Sequence, residues 1–302
     1  MEIGSPVYCV STTPNNTNQI CVGLEDGQLS LYDVNSPENP IYSVNNPDSI
    51  IVIRPISDSV FYGASEESIS IYDTRECTAP KLCFKPPSEI TDFCVYNNKL
   101  AVGTYNDDII LSDKRVFKKA KKSVLPSVCT SLSFNNNGNE LVAGYIDTTI
   151  CSWNLSNSKF NTFKEKIGSG TTNPSVVHCI SVQGNYVAAA RQTGLALYEK
   201  GKCVEYSYFE HDGAVEVVEI AKCFDEPTVI SAASDGSLMV LDWKSKKVID
   251  CFSNEGEKVQ SITSNSEFIA VADTSDNGNI GIFRPEDFGN KEEEEEEEEN
   301  TK

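Results

Sequence analysis

One pattern recurs seven times along this chain, and such a repeat limits the possible folds more tightly than composition does. The segments ICVGLEDGQLSLYD (20–33), VFYGASEESISIYD (60–73), LAVGTYNDDIILSD (100–113) and LVAGYIDTTICSWN (141–154) align without gaps. YVAAARQTGLALYE (186–199), VISAASDGSLMVLD (229–242) and the longer FIAVADTSDNGNIGIFR (268–284) continue the series. A small residue holds the same place in each: Gly23, Gly63, Gly103, Gly144, Ala189, Ala232 and Ala272, at intervals of 40, 40, 41, 45, 43 and 40. The second half of each segment ends near Tyr32, Tyr72, Ser112, Trp153, Tyr198, Leu241 and Phe283, so a second marker keeps the same period.

Each segment is an apolar run, a short polar turn and a run alternating apolar with polar, which predicts a hairpin burying one side chain in two. A small residue in mid-strand lets a neighbouring sheet approach, and a terminal aromatic fills the space between sheets. Asp26, Asp147 and Asp235 lie in the turns, where a carboxylate accepts bonds from its own backbone. A further apolar run precedes each hairpin, and the spacing leaves room for a fourth strand. Four strands every ~40 to 45 residues describe a propeller blade, and seven blades fall within the range that closes a ring. The expected fold is all-β: a single seven-bladed β-propeller of four-stranded antiparallel blades over 1–288, with 289–302 as a disordered acidic tail. Too little chain follows Phe283 for a last outer strand, so MEIGS at the N-terminus is expected to pair beside the final blade and cover its edge.

The formal charge is −20, and Glu292 to Glu299 supply eight of the acids, yet residues 1–290 still carry 23 basic against 37 acidic side chains. A surface of that sign repels a phosphate backbone, so direct nucleic-acid binding is not expected. No run approaches the ~18 apolar residues of a membrane helix, and MEIGSPVYCV lacks the basic start and apolar core of a signal peptide. Eleven cysteines without a C-x-x-C pair, with Cys9, Cys94, Cys129 and Cys179 inside apolar runs, read as buried thiols of a reducing compartment. The expected location is cytoplasmic, nuclear or both.

The repeat resembles the WD-repeat family. The likeness covers 1 to about 288 and rests on the turn acid followed seven residues later by Tyr32-Asp33, Tyr72-Asp73 or a departure from that pair, as at Ser112, Asn154, Glu199, Leu241 and Arg284. The order of segments is also similar to the small WD repeat-containing protein 53 group, notably NPSVVHCISV (173–182). The family resemblance implies that His211 reaches the turn acid of its own blade, Asp235, as a structural pair, with Leu241 where the family has tryptophan.

Chemistry finds little support in the residues. His178 adjoins Cys179 in a strand, where neighbours point to opposite faces, so the two form no direct dyad. There is no phosphate loop and no metal-ligand spacing, and the expectation is no catalytic residue, no metal and no cofactor. The basic run KRVFKKAKK, Lys114 to Lys122, reads as a solvated outer strand, with a nuclear-import signal or an acidic-partner contact as its functional alternative.

An Asp two residues before a basic side chain recurs at Asp73/Arg75, Asp113/Arg115 and Asp242/Lys244, the first two in consecutive repeats. In the WD-repeat family a small/acid/apolar pattern ending in aromatic-Asp-x-Arg marks many substrate receptors of cullin-RING ubiquitin ligases, where it docks on the DDB-type adaptor. Tyr72, Asp73 and Arg75, with Asp113 and Arg115 one blade later, match that pattern; Glu66 stands for its usual Asp, Tyr72 for Trp, and Ser112 holds the aromatic slot of the second copy. The bland reading is a local surface ion pair, contributing only ~0 to 1 kcal/mol. The resemblance therefore implies a monomeric, non-enzymatic scaffold with an adaptor and a substrate protein as partners. The alternatives are a ribosome or chromatin assembly factor holding basic proteins on its acidic tail and, at more distance, a propeller hydrolase.

Overall fold

The computed structural model describes residues 1–76, 79–106, 108–113, 118–124, 127–163, 175–192, 194–207, 211, 213–253 and 257–288, with backbone alone for 118–124, 206 and 207. The alternating runs form antiparallel sheets over 7–45, 52–84, 90–124, 129–162, 177–207 and 215–253, each of four strands in chain order, and a three-stranded sheet over 259–283. The innermost strand of each blade touches that of the next. Val7–Thr12 of blade 1 packs on Val259–Ser264 of blade 7, and this contact closes the seven sheets into a ring. Among the described residues no helix is long and apolar enough to cross a membrane.

Among the described residues six blades have four strands and the seventh has three. After Ile280–Phe283 the chain turns into a single 3-10 turn, Pro285–Asp287, held where the Arg284 N–H donates to Asp287 Oδ2 at 2.7 Å. That turn uses the residues an outer strand would need. The N-terminus covers part of the exposed edge instead. The Met1 ammonium donates to Ile280 O at 3.1 Å, Ile280 N–H returns a bond to Met1 O at 2.9 Å, and Glu2 bridges Asn279. Met1 and Ile3 also pack on a core shared by blades 1 and 7, including Val7, Val10, Ile20, Phe268 and Ile280.

All seven small residues lie on second strands and all seven marker residues on third strands. The close approach is measurable. A Cβ on Gly144 would stand 2.5 Å from Val177 Cγ1 of blade 5, and one on Gly23 would stand 2.7 Å from Cys9 Sγ and from Ile50 Cγ2 at the head of blade 2. In the last three blades alanine holds this place, and Ala189, Ala232 and Ala272 are wholly buried. Gly144→Ala is accordingly expected to destabilise the ring by about 1–3 kcal/mol, the usual cost of overpacking, read as a lower midpoint in chemical denaturation with an unchanged slope.

The turn acids act as expected of short polar side chains. Asp26 accepts from Gln28 N–H, and Asp147 and Asp235 each accept both the N–H and the hydroxyl of the residue two further on, Thr149 and Ser237. Cys9, Cys94 and Cys129 are buried free thiols and Cys179 is half-buried.

Candidate functional site

Strand direction gives the ring two unlike faces. The upper face carries the turns between second and third strands and the linkers entering each innermost strand; the lower face carries the remaining turns. Asp73 ends the third strand Ile69–Asp73 on the lower face, where Thr74 N–H donates to Ser59 O of the first turn of the same blade. Arg75 folds back on it through a fork: Nε donates to Asp73 Oδ1 at 2.8 Å and Nη2 to Oδ2 at 2.5 Å, while Arg75 N–H also donates to Oδ1 at 3.1 Å. The guanidinium holds the Asp73 carboxyl down to about 2. Even so, the arginine side chain remains 68% exposed, with its Nη1 hydrogens turned away from the fork. The pair thus fixes a cation in a set orientation at the rim.

Asp113 ends the equivalent strand of the next blade, Asp108–Asp113, so the two acids occupy matching positions on adjacent blades. Arg115 lies outside the described residues, as do Lys114 and the acidic tail from 289 onward. The outermost strand of that blade, Lys118–Val124, runs through the basic segment. Tyr72, which the pattern would expose for docking, is buried instead. It is 1% exposed and packs with Leu29, Ile50, Ile53 and Phe61, because its place in the alternation points between blades 1 and 2. Its contribution is to hold the strand that presents Asp73.

His211 and Asp235 are joined through a third residue. Nδ1 of His211 lies 2.5 Å from Ser237 Oγ, which donates to Asp235 Oδ1 at 2.6 Å, while Nε2 lies 3.0 Å from Ser231 Oγ. Asp235 Oδ2 also accepts from Gly213 N–H at 3.0 Å, which ties the linker entering blade 6 to that blade's upper turn. Burial lowers the His211 pKa, so the neutral ring is the form that packs here.

The innermost strands enclose a channel of about 1110 Å³ along the axis. Its wall shows a device that sequence reading missed: side-chain oxygens on one innermost strand accept backbone N–H groups from its neighbour. Asp92 accepts from Leu132, Ser131 from Ile180, Ser181 from Ile220, Ser264 from Lys222 and Ser261 from Val10, which stitches blades 3 through 7 and then 7 to 1. Asp92 is the most heavily engaged. Oδ1 takes Arg54 Nη2 at 2.9 Å and Phe93 N–H at 2.7 Å; Oδ2 takes Leu132 N–H at 2.7 Å and Ser131 Oγ at 3.3 Å. Burial raises its pKa and these donors pull it back. The one available signal was an acid in the middle of the apolar run ITDFCVY.

His178 and Cys179 both line the channel without forming a dyad. The Cys179 thiol is directed at Val218 O, 3.7 Å away in the next blade, and burial pushes its pKa up to about 11, the wrong direction for a nucleophile. His178 Nε2 is buried without a hydrogen-bond partner, and desolvation lowers the pKa of the ring. Among the described residues no three His, Cys, Asp or Glu side chains are placed to share a metal ion.

Comparison with known proteins bears on this geometry at one place. Residues 119–154 match the WD40 family, described as WD domain, G-beta repeat. That stretch takes in most of the outermost strand of blade 3 and the first three strands of blade 4, so the repeat in sequence straddles two blades in space. Its last residues are Trp153-Asn154, the repeat whose marker residue is tryptophan. No curated protein matches the chain significantly in overall sequence. WD-repeat propellers are typically non-enzymatic scaffolds for protein–protein interaction. The matched stretch is similar to one WD repeat, and the ring of seven blades built on the same period agrees with that likeness.

Proposed function

We propose that the protein is a non-enzymatic substrate receptor of a cullin-RING ubiquitin ligase, working in the cytoplasm or nucleus and docking its DDB-type adaptor on the lower rim of blades 2 and 3. The closer likeness to the small WD repeat-containing protein 53 group belongs to the same proposal. The observation that carries it is the fork between Asp73 and Arg75: a guanidinium that is ordered before binding and still exposed. An exposed ion pair adds little to folding, whereas an arginine already held in one orientation loses less freedom on docking and can contribute ~2 kcal/mol or more. Asp113 at the matching position of blade 3 extends the surface.

The test is recovery of adaptor by tagged protein from cells. Arg75→Ala is expected to lower recovery at least about tenfold, and Arg75→Ala/Arg115→Ala further, with an unchanged melting curve because the pair is at the surface. Asp73→Ala leaves the cation and removes its support, so an intermediate loss is expected. Asp73 has a depressed carboxyl pKa, so its pairing is present above the ordinary carboxylate range and is lost only as pH falls toward about 2. Adaptor recovery should therefore not change through Asp73 between pH 5 and pH 8. Equal recovery by wild type and the double variant, or none by wild type, would remove the receptor reading.

A further inference from the structure

The upper face carries two exposed apolar side chains that the fold does not use. Tyr105 is 59% and Ile146 46% exposed, and each is the second residue past the small residue of its repeat, Gly103 and Gly144, on adjacent blades. At the same place the other blades have Glu25, Ser65, Arg191, Ser234 and Thr274. The remaining large exposed hydrophobics, such as Leu82, Phe160 and Val248, lie on or beside outermost strands, so Tyr105 and Ile146 are the described pair that sits on a face. Both turns are tied down. Tyr105 N–H donates to Glu89 O, Ile146 N–H to Val128 O, and Asp147 N–H to Ser127 Oγ. The two side chains are thus displayed on fixed backbone.

Their surroundings on that face are acidic. Glu66, Glu67, Glu89 and Asp147 are exposed around them and on the neighbouring blade. The described lysines of this face are both already engaged, Lys85 with Glu67 at 2.6 Å and Lys258 with Glu216 at 2.5 Å. The adjoining channel mouth holds two buried polar atoms with no hydrogen-bond partner, Thr91 Oγ1 and His178 Nε2. An apolar pair beside Glu66, Glu89 and Asp147, which take part in no ion pair among the described residues, while Glu67 is held by Lys85, complements one kind of occupant.

We propose that this upper face is a docking site for a basic segment of a partner protein, with a large apolar side chain seated on Tyr105 and Ile146 and flanking lysines or arginines meeting the carboxylates. The site is separate from Arg75 on the opposite face and does not depend on the adaptor reading. If that reading holds, the basic segment belongs to the substrate.

The probe is a short labelled Lys/Ser peptide with one central Phe, titrated into the full chain and followed by fluorescence anisotropy. Wild type is expected to bind it, more weakly by several-fold when salt rises from about 50 to about 300 mM. Tyr105→Ala/Ile146→Ala should weaken binding at least about tenfold, as should replacing the peptide's Phe by Ser. Glu66→Lys/Glu67→Lys, a change confined to exposed side chains, should weaken it too and guards against a folding defect in the first variant. Absence of binding, equal binding by both variants, or equal binding of the peptide without Phe would overturn the proposal, the last pointing to simple adhesion to acidic groups. Arg75→Ala should bind the peptide as wild type does, so loss of adaptor recovery and loss of peptide binding report on different faces.

Discussion

Deleting residues 1–6 is expected to lower the melting temperature by roughly 5–10 °C and to make the protein prone to association. The reason lies in the ring closure. Among the described residues blade 7 has three strands of its own, and the Met1–Gly4 stretch lies along its outer edge: Met1 exchanges two bonds with Ile280, Ile3 N–H donates to Gly278 O at 2.9 Å, and Gly4 N–H to Asn277 O at 2.6 Å. Pro6 O further accepts from Glu25 N–H in the upper turn of blade 1. Each such bond contributes about 0.5–1.5 kcal/mol net, and the half-buried Met1 and Ile3 side chains add a further ~1–2 kcal/mol each. Five such bonds and two such side chains sum to about 4–11 kcal/mol before any reduction for residual order in the unfolded chain, and the expected fall in melting temperature corresponds to the lower half of that range. Glu2→Ala, which keeps the backbone pairing, should change stability by no more than about 0.5 kcal/mol. A truncated protein that melts with wild type would show that the seam between blades 1 and 7 holds without this segment.

That seam was legible in the sequence by subtraction, since Phe283 ends the last repeat and a ring must close. Its extent was not, because the turn at Pro285–Asp287 and the packing of Phe288 on Phe252 and Phe283 depend on side chains from two blades. The blade core was legible for a local reason. A small residue on the second strand and a marker residue on the third, as with Gly144 beside Val177 of the next blade and Trp153, recur at fixed offsets, and the period of about 40 makes weak marks add. The channel stitching leaves no such mark. Ser131 and Ser181 look like ordinary strand serines until innermost strands from successive repeats are set side by side, and the acceptor shifts from one position to another between blades. At the candidate site the sequence placed Asp73 and Arg75 on a rim and put Tyr72 with them. Alternation alone assigns Tyr72 to the opposite side of the strand from its neighbours, and the packing of blade 1 decides that this side is core.

Asp92→Asn is expected to cost about 2–5 kcal/mol although it changes neither size nor shape. An ionised carboxylate only accepts, and here both oxygens are used twice: Arg54 and Phe93 N–H on Oδ1, Leu132 N–H and Ser131 Oγ on Oδ2. An asparagine must turn its NH2 toward one of these pairs. If the amide nitrogen faces Arg54, a cation and a backbone donor of blade 3 lose their acceptor; if it faces Leu132, the bond between blades 3 and 4 is replaced by two donors in opposition. The Arg54 loss is tempered, because its side chain is 37% exposed and water can reach it. The Leu132 loss is not, since Leu132 is buried at 2% exposure and its N–H has no solvent to turn to. Asparagine should therefore place its oxygen toward Leu132 and its nitrogen toward Arg54. Arg54→Leu added to Asp92→Asn should then cost less than the sum of the two single changes, by about 1 kcal/mol or more in a double-mutant cycle. Strict additivity would mean that the carboxylate holds blade 4, through Leu132 N–H and Ser131 Oγ, independently of its pairing with Arg54.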